Sequence, residues 1–285
     1  MNIFELLKVV ILGIVEGITE WLPISSTGHL ILVNEFLQLK ETESFIEMFD
    51  VVIQLGAILA VIVMYFGRLW PVGTRKKVYN NTDATGLCFD KSKLILWAKI
   101  LVACIPAGII GVLFDDKIDE LFYNPYVVSV ALIIYGVAFI LIEIRNKNRA
   151  FKIEDVNAIT FRTALIIGIF QVLALIPGTS RSGATIVGAM LIGTGRTAAA
   201  EFTFFLAIPV MLGASAVKVL KFIVDGNTFT GTQICYLIVG MAVAYIVSLV
   251  VIKFLMSFIK KHDFKPFGIY RIILGVAVLG YFLLK

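Results

Sequence analysis

The chain has 285 residues, of which 59% are hydrophobic and only 16% are charged. Ordinary soluble domains contain about 45–50% apolar and about 25% charged residues, so this composition and a mean hydropathy of +0.96 exclude that class. The net charge of +5 requires no nucleic-acid partner, because basic loops on one face of a membrane account for it.

Apolar segments recur along the chain at about the length, roughly 20 residues, that a helix needs to cross a bilayer. Two further apolar regions, 4–39 and 163–193, are interrupted by clusters of polar residues. The pattern predicts an all-α polytopic membrane protein that forms a single membrane domain over residues 1–285. Its six predicted transmembrane helices cover, in chain order, residues 50–66, 94–114, 126–142, 203–224, 234–256 and 269–284.

The charges of the connecting segments predict how these helices are oriented, because cytoplasmic loops accumulate Lys and Arg. Region 163–193 is preceded and followed by segments assigned to the inside, so we expect it to enter the membrane and return. Region 4–39 ends outside, and the same behaviour there places the N-terminus outside as well. The segments placed inside are the cation-rich 67–93, 143–162 and 257–268, and those placed outside are 40–49, 115–125 and 225–233.

The two interrupted regions resemble each other at an offset of 155 residues. Each half then contains one re-entrant helical hairpin followed by three spans. Because three is an odd number of crossings, the second half is inverted relative to the first. We therefore predict an inverted-topology repeat, with one copy over about 1–145 and the other over about 160–285, and a binding site where the copies meet. The matching pairs are Gly13 and Gly168, Glu16 and Gln171, Ser25 and Ser180, Thr27 and Ser182, and Gly28 and Gly183.

Hydroxyl-rich strings mark the expected tips of the two hairpins, "PISSTGHL" at 23–30 and "PGTSRSGAT" at 177–185. Non-helical backbone at membrane depth is tolerated only where it is buried in protein or lines a wet cavity. Each tip is predicted to lead into a new helix, near Gly28 and near Ala184, whose free N–H groups favour an anion. With Arg181 between them, the two helix ends predict a phosphate-binding site.

Ionisable side chains lie close to the first tip. Glu16 and Glu20 are four residues apart, so they share a helix face and repel each other unless a cation, a metal or a shared proton intervenes. His29 follows the hydroxyls directly, and a nucleophilic Ser or Thr needs a base of this kind nearby. Carboxylates at membrane depth are costly to bury, which favours a functional role over a structural one.

The strings "EGITEWLPISSTGHL" and "PGTSRSGATI" resemble the two signature motifs of the undecaprenyl-diphosphate phosphatase family of the bacitracin-resistance type. The resemblance covers nearly the whole chain. It implies removal of the terminal phosphate of a C55 polyprenyl diphosphate in the bacterial plasma membrane, which regenerates the lipid carrier for peptidoglycan and confers bacitracin resistance. It also implies a site open to the outer face and a supporting divalent cation, Mg²⁺ or Ca²⁺.

The roles inside the site remain open at this point. Ser26 attacks the phosphorus or positions a water that does, and His29 or a glutamate takes the proton, while the glutamates could instead hold the cation. A lipid flippase or transporter is the alternative function, and membrane lipids and a homodimer are further expected partners. The candidates are Glu16, Glu20, Ser26 and His29 as catalytic residues, Ser25, Thr27, Ser180, Arg181, Ser182 and Thr185 as substrate-binding residues, and Glu16 and Glu20 as metal ligands.

Overall fold

Helices make up nearly all of the fold in the computed structural model, which describes residues 2–79 and 82–284. Short 3₁₀ turns at Val156–Ala158 and Leu173–Leu175 interrupt the connections. The α-helices are α1 Ile3–Thr19, α2 Ser26–Phe36, α3 Glu43–Val52, α4 Gln54–Met64, α5 Phe66–Leu69, α6 Lys91–Phe122, α7 Pro125–Asn146, α8 Phe161–Val172, α9 Arg181–Leu191, α10 Arg196–Val224, α11 Gly231–Ile259 and α12 Lys265–Leu284.

Six helical segments of the described chain are long and apolar enough to cross a membrane, which confirms a multi-pass membrane protein. Many large apolar side chains on these segments are exposed, as expected of helices that face lipid. Helices α1, α2, α8 and α9, which lie outside these six segments, come from the two interrupted regions of the sequence. The membrane segments are Glu43–Met64, Lys91–Phe114, Pro125–Asn146, Arg196–Val224, Gly231–Ile259 and Lys265–Leu284.

Glycines set the closest helix contacts. A Cβ added at Gly13 of α1 would lie 2.8 Å from the carbonyl oxygen of Gly240 in α11, so the two backbones touch. Gly136 of α7 and Gly268 of α12 meet in the same way: a Cβ added at either one would lie 2.7 Å from the carbonyl oxygen of the other. Small residues allow such close approach, and close packing is a main source of helix association in a bilayer.

Two predicted outer loops are partly helical, which corrects their boundaries. Residues 43–49 of the expected loop 40–49 belong to α3, where Phe45, Met48 and Phe49 are buried at helical spacing. Residues 115–122 of the expected loop 115–125 continue α6, which ends just before Asn124 caps α7. Charged residues alone do not end a helix, and the break here coincides with Asn124 and Pro125, which cap and start the next helix.

An antiparallel β-hairpin occupies most of the predicted inner loop 67–93, so the all-α prediction is wrong for this segment. Strands β1, Val72–Tyr79, and β2, Thr82–Phe89, pair from Val72 opposite Phe89 to Tyr79 opposite Thr82. The cations of this segment favour a basic connection between membrane helices. Its Val, Thr and Tyr residues are typical of strands, a signal that the charges obscured.

Candidate active site

The two predicted tips have the same local geometry. Ser25 and Ser180 adopt positive φ angles of 76° and 72°, which are uncommon for residues other than glycine. Each serine caps the next helix, because its hydroxyl accepts from the backbone N–H of Gly28, at 3.2 Å, or of Gly183, at 3.1 Å. The caps start α2 and α9 at Ser26 and Arg181, earlier than the predicted starts near Gly28 and Ala184.

Glu20 joins the two tips. One carboxylate oxygen accepts from the Ser26 hydroxyl at 2.8 Å, and the other accepts from Nη2 of Arg181 at 3.0 Å. The backbone carbonyl of Glu20 also accepts from the Ser182 hydroxyl at 3.2 Å. The carboxylate is buried, so this ion pair is shielded from water and its hydrogen bonds are charge-assisted. Residues 155 or more positions apart therefore form one cationic, hydroxyl-rich cup.

Arg181 is held on a second side as well. Its Nη1 donates to the backbone carbonyl of Thr203 in α10, at 2.8 Å, while its Nε has no partner among the described residues. Thr203 also shares a hydroxyl contact of 2.9 Å with Thr185. The guanidinium is thus fixed in place while its Nε–H stays without a partner among the described residues, which suits the planar recognition of a phosphate.

Arg271 is the main residue that the sequence reasoning missed. It lies in α12, is 0% exposed, and donates to the backbone carbonyls of Pro23, Gly178 and Thr179 at 3.2, 2.8 and 2.9 Å. These carbonyls belong to both tips, where the broken helices leave backbone acceptors unpaired. A single cation inside the apolar span 269–284 was the available signal, because a buried ionisable residue in a membrane is functional by default.

His29 faces away from the nucleophile candidates. Its Nδ1 lies 2.7 Å from the Ser25 carbonyl, which can only accept, so Nδ1 carries the proton. In the neutral ring, Nε2 then accepts from the Tyr270 hydroxyl, also at 2.7 Å, and the two rings lie parallel. The hydrogen-bond partner of Ser26 is therefore Glu20, and His29 connects the first tip to α12.

Glu16 is fully buried, and neither of its carboxylate oxygens has a hydrogen-bond partner among the described residues. The charged groups that act on it are Glu20, Asp50 and Arg181. A buried carboxylate in this situation requires a proton or a cation. The carboxylates of Glu16 and Glu20 offer the oxygen ligands that a divalent ion prefers. The fit is only partial, however, because no group of three or more His, Cys, Asp or Glu residues in the described chain could hold such an ion. Mg²⁺ commonly binds through one or two carboxylates and completes its shell with water and substrate phosphate.

The remaining candidates divide by what their hydroxyls contact. Ser25 and Thr185 are occupied inside the protein, the first by its cap and the second by the Arg181 carbonyl and Thr203. The Ser180 hydroxyl, which caps α9, lies 3.1 Å from that of Ser182. Thr27 is half-buried in the first turn of α2. First-turn amides of any helix lack intrahelical acceptors, so the starts of α2 and α9 offer free donors beside Glu20.

Comparison with known proteins identifies relatives that match nearly the whole chain. The model of the bacitracin resistance protein BacA family matches residues 9–277. A protein of Lachnoclostridium phytofermentans named undecaprenyl-diphosphatase is 58% identical over 284 residues, covering 100% of this chain and 99% of the relative. An Enterococcus faecalis protein of the same name is 57% identical over 98% of each chain, and undecaprenyl-diphosphatase 1 of Clostridium acetobutylicum is 57% identical over 100% of each. The chain is a member of the bacitracin resistance protein BacA family.

Proposed function

We propose that this protein is an integral membrane phosphatase that hydrolyses undecaprenyl diphosphate to undecaprenyl phosphate and inorganic phosphate. The observation that carries the proposal is the Glu20 carboxylate, which binds the Ser26 hydroxyl on one side and Arg181 on the other. A nucleophile, a proton acceptor and a phosphate-binding cation thus lie within one buried site. The relatives named undecaprenyl-diphosphatase supply the substrate class.

The terminal phosphate would bind between the starts of α2 and α9. The free N–H of Arg181 Nε can donate to a phosphate oxygen without releasing Glu20. First-turn amides of both helices add donors, and the partial positive charge of each helix end favours an anion. Preorganised donors of this kind stabilise the charge that develops in phosphoryl transfer, which depends mostly on positioning and electrostatics.

The Ser26 oxygen, or a water that it holds, attacks the terminal phosphorus, and the proton passes to Glu20. The bond from phosphorus to the bridging oxygen breaks, and the lipid monophosphate leaves. Attack by Ser26 gives a phosphoserine that water then hydrolyses, whereas attack by water gives inorganic phosphate directly. His29, bonded to Ser25 and Tyr270, would hold the first tip in position for either route.

A divalent cation would be held by Glu16, with Glu20 beside it. Such an ion would neutralise charge on the diphosphate. The two oxygens of Glu16 support this assignment, because no donor among the described residues reaches them and they are buried beside the Glu20 carboxylate that binds Ser26.

Several observations support two re-entrant hairpins within an inverted repeat. The helices α2 and α9 have 11 residues each and begin 155 positions apart, after serines of nearly equal φ. α1 packs against α11 through Gly13. Its counterpart α8 packs against α6 through Gly168, which is the equivalent position at the offset of 155. The mutual contact of Gly136 and Gly268 is what a two-fold relation between α7 and α12 requires. We propose further that the protein resides in the bacterial plasma membrane with its cup open to the outer side, as the resemblance to the family implies.

Phosphate release from purified protein in detergent tests the function. We expect inorganic phosphate from a long-chain polyprenyl diphosphate, and less of it after chelation of divalent cations. Release without a membrane to cross would distinguish a phosphatase from a flippase, the alternative that the names of the relatives do not favour. A homogeneous, folded preparation that releases no phosphate from any polyprenyl diphosphate would contradict the proposal. Whether the protein forms a homodimer stays a prediction.

A further inference from the structure

An apolar groove lies at the junction of α4, α5 and the start of α6, and none of its lining residues belongs to the cup. Its volume is about 340 Å³, within the usual range of small-molecule sites, roughly 300–1,000 Å³. The lining includes Ile62, Phe66, Leu69, Trp70, Trp97 and Ile208.

Specific contacts fix the walls of this groove. The indole N–H of Trp97 donates to the Leu69 carbonyl at 2.8 Å, which ties α6 to the end of α5. The rings of Phe66 and Trp70 stack with centroids 5.3 Å apart and an interplanar angle of 15°. Trp70 is half-exposed, and tryptophan is enriched where a membrane meets water. The groove is therefore a built feature at the end of membrane helices and can receive part of a lipid chain.

A cation lies at the mouth of the groove, beside Trp70. The Lys93 ammonium donates to the Trp70 carbonyl at 3.1 Å, and its side chain remains 27% exposed. From Arg68 to Lys93 the sequence contains six cations against two anions, Asp83 and Asp90. Asp90 lies 4.0 Å from Lys93 and Arg68 pairs with Glu201, while Lys91, at the start of α6, is an exposed cation two residues before Lys93.

We propose that this groove binds one anionic phospholipid, with an acyl chain along Trp70 and Trp97 and the phosphate beside Lys93. Apolar burial alone would accept any lipid, whereas the cationic mouth selects a headgroup with net negative charge. Clusters of Lys and Arg next to a membrane helix attract anionic lipids in this way. The proposal does not depend on the phosphatase activity, because it concerns different residues and a phospholipid of the membrane, not the polyprenyl diphosphate substrate.

Tryptophan quenching by lipids with brominated chains tests the proposal in reconstituted full-length protein. The chain has three tryptophans, and Trp21 is fully buried in the core, so Trp70 and Trp97 should supply the quenchable signal. Brominated phosphatidylglycerol should half-quench the emission at a mole fraction about fivefold lower than brominated phosphatidylcholine, since one interfacial cation contributes about that factor.

Lys93→Gln should abolish most of this preference, while Lys147→Gln, which removes an exposed cation from the connection after α7, should leave it unchanged. An unaltered emission spectrum before quencher is added would show that each variant is folded. Equal quenching of the unmodified protein by the two lipids would overturn the proposal. So would a preference that survives Lys93→Gln, or one that Lys147→Gln weakens to the same extent.

Discussion

Arg181 and Glu20 form a buried ion pair across 161 positions of sequence, with Nη2 of the arginine 3.0 Å from Oε1 of the glutamate. The same carboxylate accepts from Ser26, so the pair orients the proposed proton acceptor as well as the phosphate-binding group. Removing one partner of such a buried pair strongly destabilises the protein, because the other partner is left as an uncompensated charge. Stability and catalysis are thus linked at this position.

Arg181→Lys separates these two effects. Lysine retains the positive charge, but its ammonium cannot reproduce the planar fork that reaches both Glu20 and the Thr203 carbonyl while leaving Nε free. We expect phosphate release to fall by about 10²–10³-fold, the usual cost of one lost charge-stabilising donor, with a smaller loss of thermal stability than in Arg181→Ala. Phosphate assays and thermal unfolding in detergent measure the two effects. Near-normal turnover in Arg181→Lys would show that a point charge is sufficient.

Ser26 and Glu20 should behave as one unit in a double-mutant cycle. If Ser26 supplies its proton to Glu20, Ser26→Ala and Glu20→Gln each remove the same step, and the double variant is little worse than either single one. Glu20→Gln retains the shape of the side chain but leaves Arg181 without its counter-charge, so thermal unfolding in detergent must show that the variant is folded. Fully additive losses would contradict the direct transfer of a proton between them. Mass spectrometry of protein quenched during turnover would show phosphoserine at position 26 if that oxygen is the nucleophile.

The meeting of the two tips could be predicted from sequence, because hydroxyls and an arginine inside apolar stretches need polar partners that lipid cannot supply. Membrane depth also removes water as a partner, so such groups must find one another. The contacts of Ser26, Glu20, Arg181 and Ser182 show that residues of the two tips do so.

The contacts within the cup could not be predicted in the same way. The path of residues 20–25 decides that Ser26 meets Glu20 while His29 meets Tyr270, and this turn leaves no periodic signal in the sequence. Arg271 was missed because it lies close to a basic loop, where a cation is expected for topology alone. The β-hairpin was missed for a related reason, since charge dominated the interpretation of segment 67–93.

Arg271→Met should destabilise the whole site. The change leaves the carbonyls of Pro23, Gly178 and Thr179 without their donor in a buried region, where each unpaired group costs about 1–3 kcal/mol. We expect a lower thermal unfolding temperature and little phosphate release. Arg145→Met, at an exposed position of α7, is the matched control and should retain both properties. An Arg271→Met protein as stable as the unmodified chain would show that the tips hold their geometry without it.

Glu16→Gln tests the assignment of the divalent cation. The amide has nearly the shape of the carboxylate but lacks its charge, so the cation should bind about 10- to 100-fold more weakly, as when a metal-supporting group is lost. Electron paramagnetic resonance of added Mn²⁺ measures that affinity directly and does not depend on turnover. Glu47→Gln, at an exposed position of α3, should leave it unchanged. Equal Mn²⁺ affinity in both variants would instead indicate that Glu16 is kept neutral by a proton.

Helix packing can be tested at a glycine that is not one of the proposed site residues. A Cβ at Gly56 of α4 would overlap the carbonyl oxygen of Met241 in α11, so the two helices would have to separate. Gly56→Ala should therefore cost about 1–3 kcal/mol, the usual penalty of overpacking, and lower the thermal unfolding temperature in detergent. Gly108→Ala is the control within membrane helix α6, because no atom lies within 4 Å of a Cβ there. Alanine is also the better helix former, so Gly108→Ala should be neutral or stabilising, and similar losses in both variants would mean that α4 and α11 do not pack this closely.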